Sequence, residues 1–188
     1  MNLPTKITFT RIVGSPLLIV FFYLGWHVHW AFLWVSLVLV IAFEITDLID
    51  GLLARRWGQV TDLGKVLDPF ADCISRFSVF LCFLIAGYAH IFMVALIFYR
   101  DIIVANIRIA AAMRGLVIQA RTSGKIKAVV QAIVILTVMA GVNLFGKNQP
   151  HFKLLSLWLM GVLTAVTVWS GVDYLLGYLK AVRPTEPK

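Results

Sequence analysis

Asp47-Leu48-Ile49-Asp50-Gly51-Leu52-Leu53-Ala54-Arg55, then eight residues, then Gly64-Lys65-Val66-Leu67-Asp68-Pro69-Phe70-Ala71-Asp72 is the stretch on which the reading of this chain turns. The two quoted segments hold four of the chain's nine carboxylates, in or beside sequence apolar enough to lie in a bilayer. An ionisable group there is costly unless paired or bound, so the stretch marks function. On a helix, Asp47, Asp50, Gly51 and Ala54 follow the i, i+3, i+4, i+7 spacing of a single stripe, with Arg55 beside it. Asp68 and Asp72 repeat the i, i+4 relation. Two carboxylate pairs facing each other across a short turn repel at low dielectric unless a cation lies between them. Hard oxygen donors suit Mg²⁺, Mn²⁺ or Ca²⁺ rather than zinc. Four carboxylates have room for two ions, the arrangement that clamps the attacking and leaving oxygens of an in-line phosphoryl displacement. Gly51 and Ala54 leave the same face bare, so a flat base, ribose or diphosphate can approach the backbone.

Asp47, Asp50, Gly51, Ala54, Arg55, Gly64, Asp68 and Asp72 match the signature Asp-x2-Asp-Gly-x2-Ala-Arg-x8-Gly-x3-Asp-x3-Asp without a gap. The chain thereby resembles the CDP-alcohol phosphotransferases. The resemblance implies a six-helix membrane enzyme that uses two divalent cations, Mg²⁺ or Mn²⁺, to move a substituted phosphate from a CDP-alcohol to a hydroxyl, releasing CMP. It makes Asp47, Asp50, Asp68 and Asp72 metal ligands, with Asp72 also the general base, since one carboxylate must accept the acceptor's proton. Gly51, Ala54, Arg55 and Gly64 would border the CDP-lipid.

Composition agrees. Of 188 residues 61% are hydrophobic and the mean hydropathy is +0.91, far above a soluble domain. There is room for about six spans of roughly 20 residues with short loops. The expected fold is all-α: six transmembrane helices plus a short N-terminal juxtamembrane amphipathic helix, forming one membrane-embedded domain over residues 1–188. No linker or repeat divides it, and the apolar run after the first residues continues as a span rather than ending in a cleavage site. Cys73 and Cys82 fall nine residues apart on one helix, about 13.5 Å at the α-helical rise and too far to bridge.

The amphipathic start, with Lys6 and Arg11 on its polar side, carries Asn2, Pro4, Thr5, Thr8 and Arg11 in the pattern Asn-x-Pro-Thr-x2-Thr-x2-Arg. This is similar to the amino-terminus of bacterial phosphatidylglycerophosphate synthases, where the segment lies under the nucleotide. Asn2, Thr5 and Thr8 are therefore expected at the CDP-lipid. The spans are expected at 12–26, 31–55, 68–87, 91–114, 126–144 and 154–179, with Asp68-Pro69 as N-cap and first residue of the third. His27 and His29 alternate with Trp26 and Trp30 as an interfacial aromatic belt, and Ser170, Gly171 and Asp173 read as helix packing.

The net charge of +8 does not point to nucleic acid, because its distribution is that of a membrane protein. Lys6, Arg11, Arg55, Arg56, Lys65, Arg114, Arg121, Lys125, Lys127, Lys180, Arg183 and Lys188 fall on one side; Lys147 and Lys153 fall on the other. The positive-inside rule makes the first side cytoplasmic, with both termini and the active site; the resemblance implies the cytoplasmic (inner) membrane. Arg108, Arg121, Lys125 and Lys127 then converge on the aspartates as a pocket for an acceptor phosphate, held mainly by Arg108 and Lys125 with help from Lys127 or Arg121. Arg100-Asp101, Arg108, Lys125, Lys127 and Gln131 are similar to phosphatidylglycerophosphate synthases, which implies CDP-diacylglycerol and sn-glycerol 3-phosphate as substrates. Two positions depart from that pattern: Cys73 stands where a Lys is common, with Arg76 one turn later, and Ala128 stands where a Thr is common. Another acceptor, such as inositol phosphate, serine or choline, would keep the same chemistry. A cation transporter, the remote alternative, would place its carboxylates at the bilayer midplane in broken helices. Membrane lipids are the expected surroundings, and a homodimer is compatible with this reading.

Overall fold

The computed structural model describes residues 3–57, 62–113, 121–147 and 149–182, with side chains placed for 8–47, 70–109, 111, 121–147 and 149–180. All regular structure among them is helical: α1 (Leu3–His27), α2 (Ala31–Trp57), α3 (Asp62–Ile85), α4 (Ile91–Met113), α5 (Thr122–Phe145) and α6 (Pro150–Val182). The segments Thr8–His27, Thr122–Phe145 and Pro150–Lys180 are long and apolar enough to cross a membrane. Large apolar side chains also face outward, Phe92, Trp158 and Val38 among them. A lipid environment accommodates such a surface; water does not.

The short surface helix expected ahead of the first span is not a separate element. Residues 3–27 form one helix. Nothing between Lys6 and Ile12 breaks it, and Pro4 lies in the first turn, where its missing N–H costs nothing. The third helix also departs from expectation. It opens at Asp62, six residues before the expected cap, so Asp68 and Pro69 lie inside it. An acidic residue at a helix N-terminus is favoured by the macrodipole, which makes Asp62 the better start. α5 and α6 likewise begin about a turn earlier than expected, α6 at Pro150, whose fixed φ suits a first helical position.

Turns are set locally. The His29 ring nitrogen Nδ1 accepts from the Ala31 amide at 3.2 Å at the start of α2, so His29 helps to cap a helix as well as sitting beside Trp30. α3 ends through Gly87 at φ 73°, with the Tyr88 amide bonded back to the Phe83 carbonyl at 2.8 Å.

α1 packs on α2 and α3, and α6 packs on α4 and α5; contacts of α2 with α5 and of α3 with α4 join the two triplets. Between them lies a core that includes Leu18, Phe22, Leu37, Phe80, Phe83, Ile97, Ile135, Met139 and Leu163. In lipid this core holds by close packing more than by water exclusion, and small residues set how near the helices come. A Cβ at Gly25 would stand 2.6 Å from the Leu33 backbone nitrogen, and one at Gly141 would stand 2.0 Å from the Phe152 ring. Both glycines let neighbouring segments touch where a side chain would part them.

Candidate active site

The first triplet places a charged cluster at one end of α1, α2 and α3. Arg11 on α1 has only 4% of its side chain exposed. Its Nη1 donates to Asp47 Oδ1 at 3.1 Å, and its Nη2 donates to Asp72 Oδ1 and, at 3.4 Å, to Ser75 Oγ. Arg76, on the same helix as Asp72, donates to the other oxygen of Asp47 at 3.3 Å. The first and last aspartates of the signature are thus drawn from two helices onto one buried guanidinium. Beneath them a small cavity of about 10 Å³ is lined by Arg11, Val40, Phe43, Glu44, Ser75, Arg76 and Val79. Local sequence makes the arrangement: Asp72, Ser75 and Arg76 fall at i, i+3 and i+4 on α3, one face of one turn. Within α1, Ser15 donates to the Arg11 carbonyl at 2.6 Å, which satisfies its buried hydroxyl.

The carboxylates of Asp47 and Asp72 offer hard oxygen donors of the kind a divalent cation takes, and here Arg11 and Arg76 engage three of their four oxygens. Asp47 and Asp72 are brought together on Arg11. The side chains of Asp50, Gly51, Ala54, Arg55, Gly64 and Asp68 lie outside the described residues, as do Asn2 and the side chain of Thr5. No group of three or more His, Cys, Asp or Glu suited to a metal occurs among the described residues. Thr8 is buried on α1, one turn before Arg11.

The second triplet holds the other candidate residues, and most are already engaged. The Lys127 ammonium is buried and donates to both oxygens of Asp101 at 2.8 Å. Arg100 pairs with the same carboxylate at 3.0 Å and donates to Ser170 Oγ at 2.6 Å. Arg121 pairs with Asp173, which also accepts from Ser123 at 2.5 Å. Arg108 is exposed and donates to the Tyr174 hydroxyl at 2.7 Å. Lys125 is exposed. Ser170 and Asp173 thus serve helix contact, as their sequence context suggested. Asp101 and Asp173 as counter-charges to Lys127 and Arg121, and Arg11 as the bridge between Asp47 and Asp72, are what sequence reasoning missed. The N-terminal pattern ending in Arg11 was a usable signal for the last.

The two clusters adjoin. Cys73 lies within electrostatic reach of Asp72 and Arg76 on one side and of Asp101 and Lys127 on the other. Cys73 and Cys82 are both free thiols.

Comparison with known proteins follows the same lines. A sequence model of the CDP-alcohol phosphatidyltransferase family matches residues 1–169. A CDP-diacylglycerol–glycerol-3-phosphate 3-phosphatidyltransferase of Yersinia enterocolitica is 31% identical over 184 residues, covering 93% of each chain. A probable phosphatidylglycerophosphate synthase of Mycobacterium tuberculosis is 33% identical over 182 residues, covering 96% of this chain and 83% of its own. A shorter match of 111 residues, 35% identical, joins 57% of this chain to 56% of the Blochmanniella floridana protein named, like the first, for glycerol 3-phosphate. The family model runs from the first residue into α6, taking in Arg11, Asp47, Asp72, Asp101 and Lys127 and ending just before Ser170, Asp173 and Tyr174, and on that match the chain belongs to the CDP-alcohol phosphatidyltransferase family.

Proposed function

We propose that the protein transfers the phosphatidyl group of CDP-diacylglycerol to sn-glycerol 3-phosphate, giving phosphatidylglycerophosphate and CMP. The observation that carries this reading is full-length similarity to relatives named for that acceptor, in a chain whose Asp47 and Asp72 meet on one cation. The acceptor hydroxyl forms a bond to the lipid-side phosphorus, the bond to the CMP oxygen breaks, and the hydroxyl proton passes to Asp72. Asp72 is suited to that role because its bond to Arg11 engages one carboxylate oxygen and leaves acceptor positions free. Asp47, Asp50, Asp68 and Asp72 are the residues that would hold two Mg²⁺ or Mn²⁺ ions, which supply charge neutralisation at the diphosphate and the leaving phosphate. Asn2, Thr5, Thr8, Gly51, Ala54, Arg55 and Gly64 border the CDP-lipid. Arg108 and Lys125, both exposed, hold the acceptor's phosphate, with Arg121 and Lys127 adding field from their ion pairs.

The assay is the purified chain in mixed micelles with CDP-diacylglycerol and a panel of acceptors. Glycerol 3-phosphate should be used best, and EDTA should abolish turnover until Mg²⁺ or Mn²⁺ is restored. A preference for serine or choline would remove the acceptor assignment; undiminished turnover in EDTA would remove the metal ligands.

In the same reading, one domain crosses the cytoplasmic membrane six times, with both termini and the charged clusters in the cytoplasm. The asymmetry of Lys and Arg supports it. A Gln59→Cys variant in a background without Cys73 and Cys82 should resist an impermeant thiol reagent in intact cells and react after lysis. Labelling in intact cells would reverse the topology.

A further inference from the structure

Tyr174 belongs to no part of the signature, yet the Arg108 side chain and the Arg121 backbone both bond to its hydroxyl. It is 1% exposed on α6. Its hydroxyl oxygen accepts from Arg108 Nη2 at 2.7 Å and from the Arg121 backbone amide at 3.2 Å. Its ring lies under two guanidinium groups, that of Arg108 at 5.1 Å and that of Arg100 at 5.6 Å from the centroid. A Cβ on Gly124 would come within 3.0 Å of the ring edge and 3.1 Å of the hydroxyl, so α5 closes over the residue from the other side. The neighbouring Asp173 takes the Arg121 side chain. α4 and α5 are therefore both referenced to one buried phenol.

That arrangement does more than pack. Arg108 is long, flexible and exposed, and a free guanidinium pays rotamer entropy each time it orders around an anion. One hydrogen bond and one ring face fix it beforehand and leave the rest of its donors for a ligand. Both contacts to the hydroxyl come from pure donors, so neither can accept its proton.

We propose that Tyr174 is a positioning residue that fixes Arg108 for the phosphate of the acceptor; this rests on the acceptor reading above. The test is Tyr174→Phe, which keeps the ring and its stacking and removes only the hydroxyl, measured with Arg108→Ala and the double variant. Tyr174→Phe should raise the KM for glycerol 3-phosphate about tenfold, the scale of one hydrogen bond to a charged group. The KM for CDP-diacylglycerol and kcat should each stay within about twofold of wild type, and the melting curve should overlay that of the wild type. In the Arg108→Ala background the same change should add little, because the group it positions is gone.

An unchanged KM for glycerol 3-phosphate in Tyr174→Phe overturns the proposal. So does a parallel rise in both Michaelis constants, or a full multiplicative effect in the double variant, which would make Tyr174 a structural residue alone. Wild-type protein that makes no product from glycerol 3-phosphate but does from another alcohol would instead bring down the acceptor reading, and this proposal with it.

Discussion

Asp72→Asn should lower turnover by about 1,000-fold or more while leaving the protein folded. The size follows from two losses at one position. A positioned general base contributes roughly 100- to 10,000-fold, and a missing carboxylate also weakens the hold on divalent cations. The fold should survive because an asparagine oxygen can still accept from Arg11, and the residue is only half-buried at the end of the bundle. The measurement is single-turnover product formation in saturating Mg²⁺, beside a melting curve for the same preparation. Turnover within about tenfold of wild type would remove Asp72 as the base. Loss of activity together with loss of the folded state would leave it only a structural role.

Asp101→Ala should cost about 3–5 kcal/mol of stability, the range for stripping one partner from a buried ion pair. Its carboxylate is shared by Lys127 and Arg100, whose side chains are 4% and 12% exposed. Without it two positive charges face each other in a region of low dielectric, and Lys127 has no route to water. The double change Asp101→Ala with Lys127→Met should recover much of the loss, since it also removes one of the stranded charges. Unfolding titrations in mixed micelles measure both. A loss below about 1 kcal/mol for the single variant would mean that water already reaches the pair.

These two aspartates differ in how far the sequence reveals them. Asp72 announces itself through spacing, because the period of a helix converts i, i+3 and i+4 into a face, and a face crowded with carboxylates in an apolar chain has few explanations. Asp101 sits beside Arg100, and adjacency suggests a local pair; its bond to Lys127, 26 residues away, is invisible in one dimension. The same holds for Arg11, whose partners are 36 and 61 residues distant. Helix periodicity reports which side of an element is buried and says nothing of which other element lies there. Charge counting gathered Arg108, Arg121, Lys125 and Lys127 at one level, with Arg108 and Lys125 set first for the acceptor phosphate, and gave no counter-charge to any of them. The structure separates them, because Asp101 and Asp173 neutralise two and leave two exposed. Element boundaries failed where two signals competed, as at the start of α3, where Asp62 precedes an Asp-Pro pair that reads equally well as a beginning.

The bridge from Arg11 to Asp72 also imposes an order on biogenesis. α1 leaves the ribosome carrying a guanidinium that is buried in the finished protein, and its second carboxylate arrives only with α3. Until then the long Arg11 side chain must keep its charge among the lipid head groups, with the helix seated shallow to allow it. Arrival of α2 supplies Asp47 and that of α3 supplies Asp72. The residue that gathers the aspartates in the mature protein is thus also the charge that the membrane surface has to accommodate until its neighbours come.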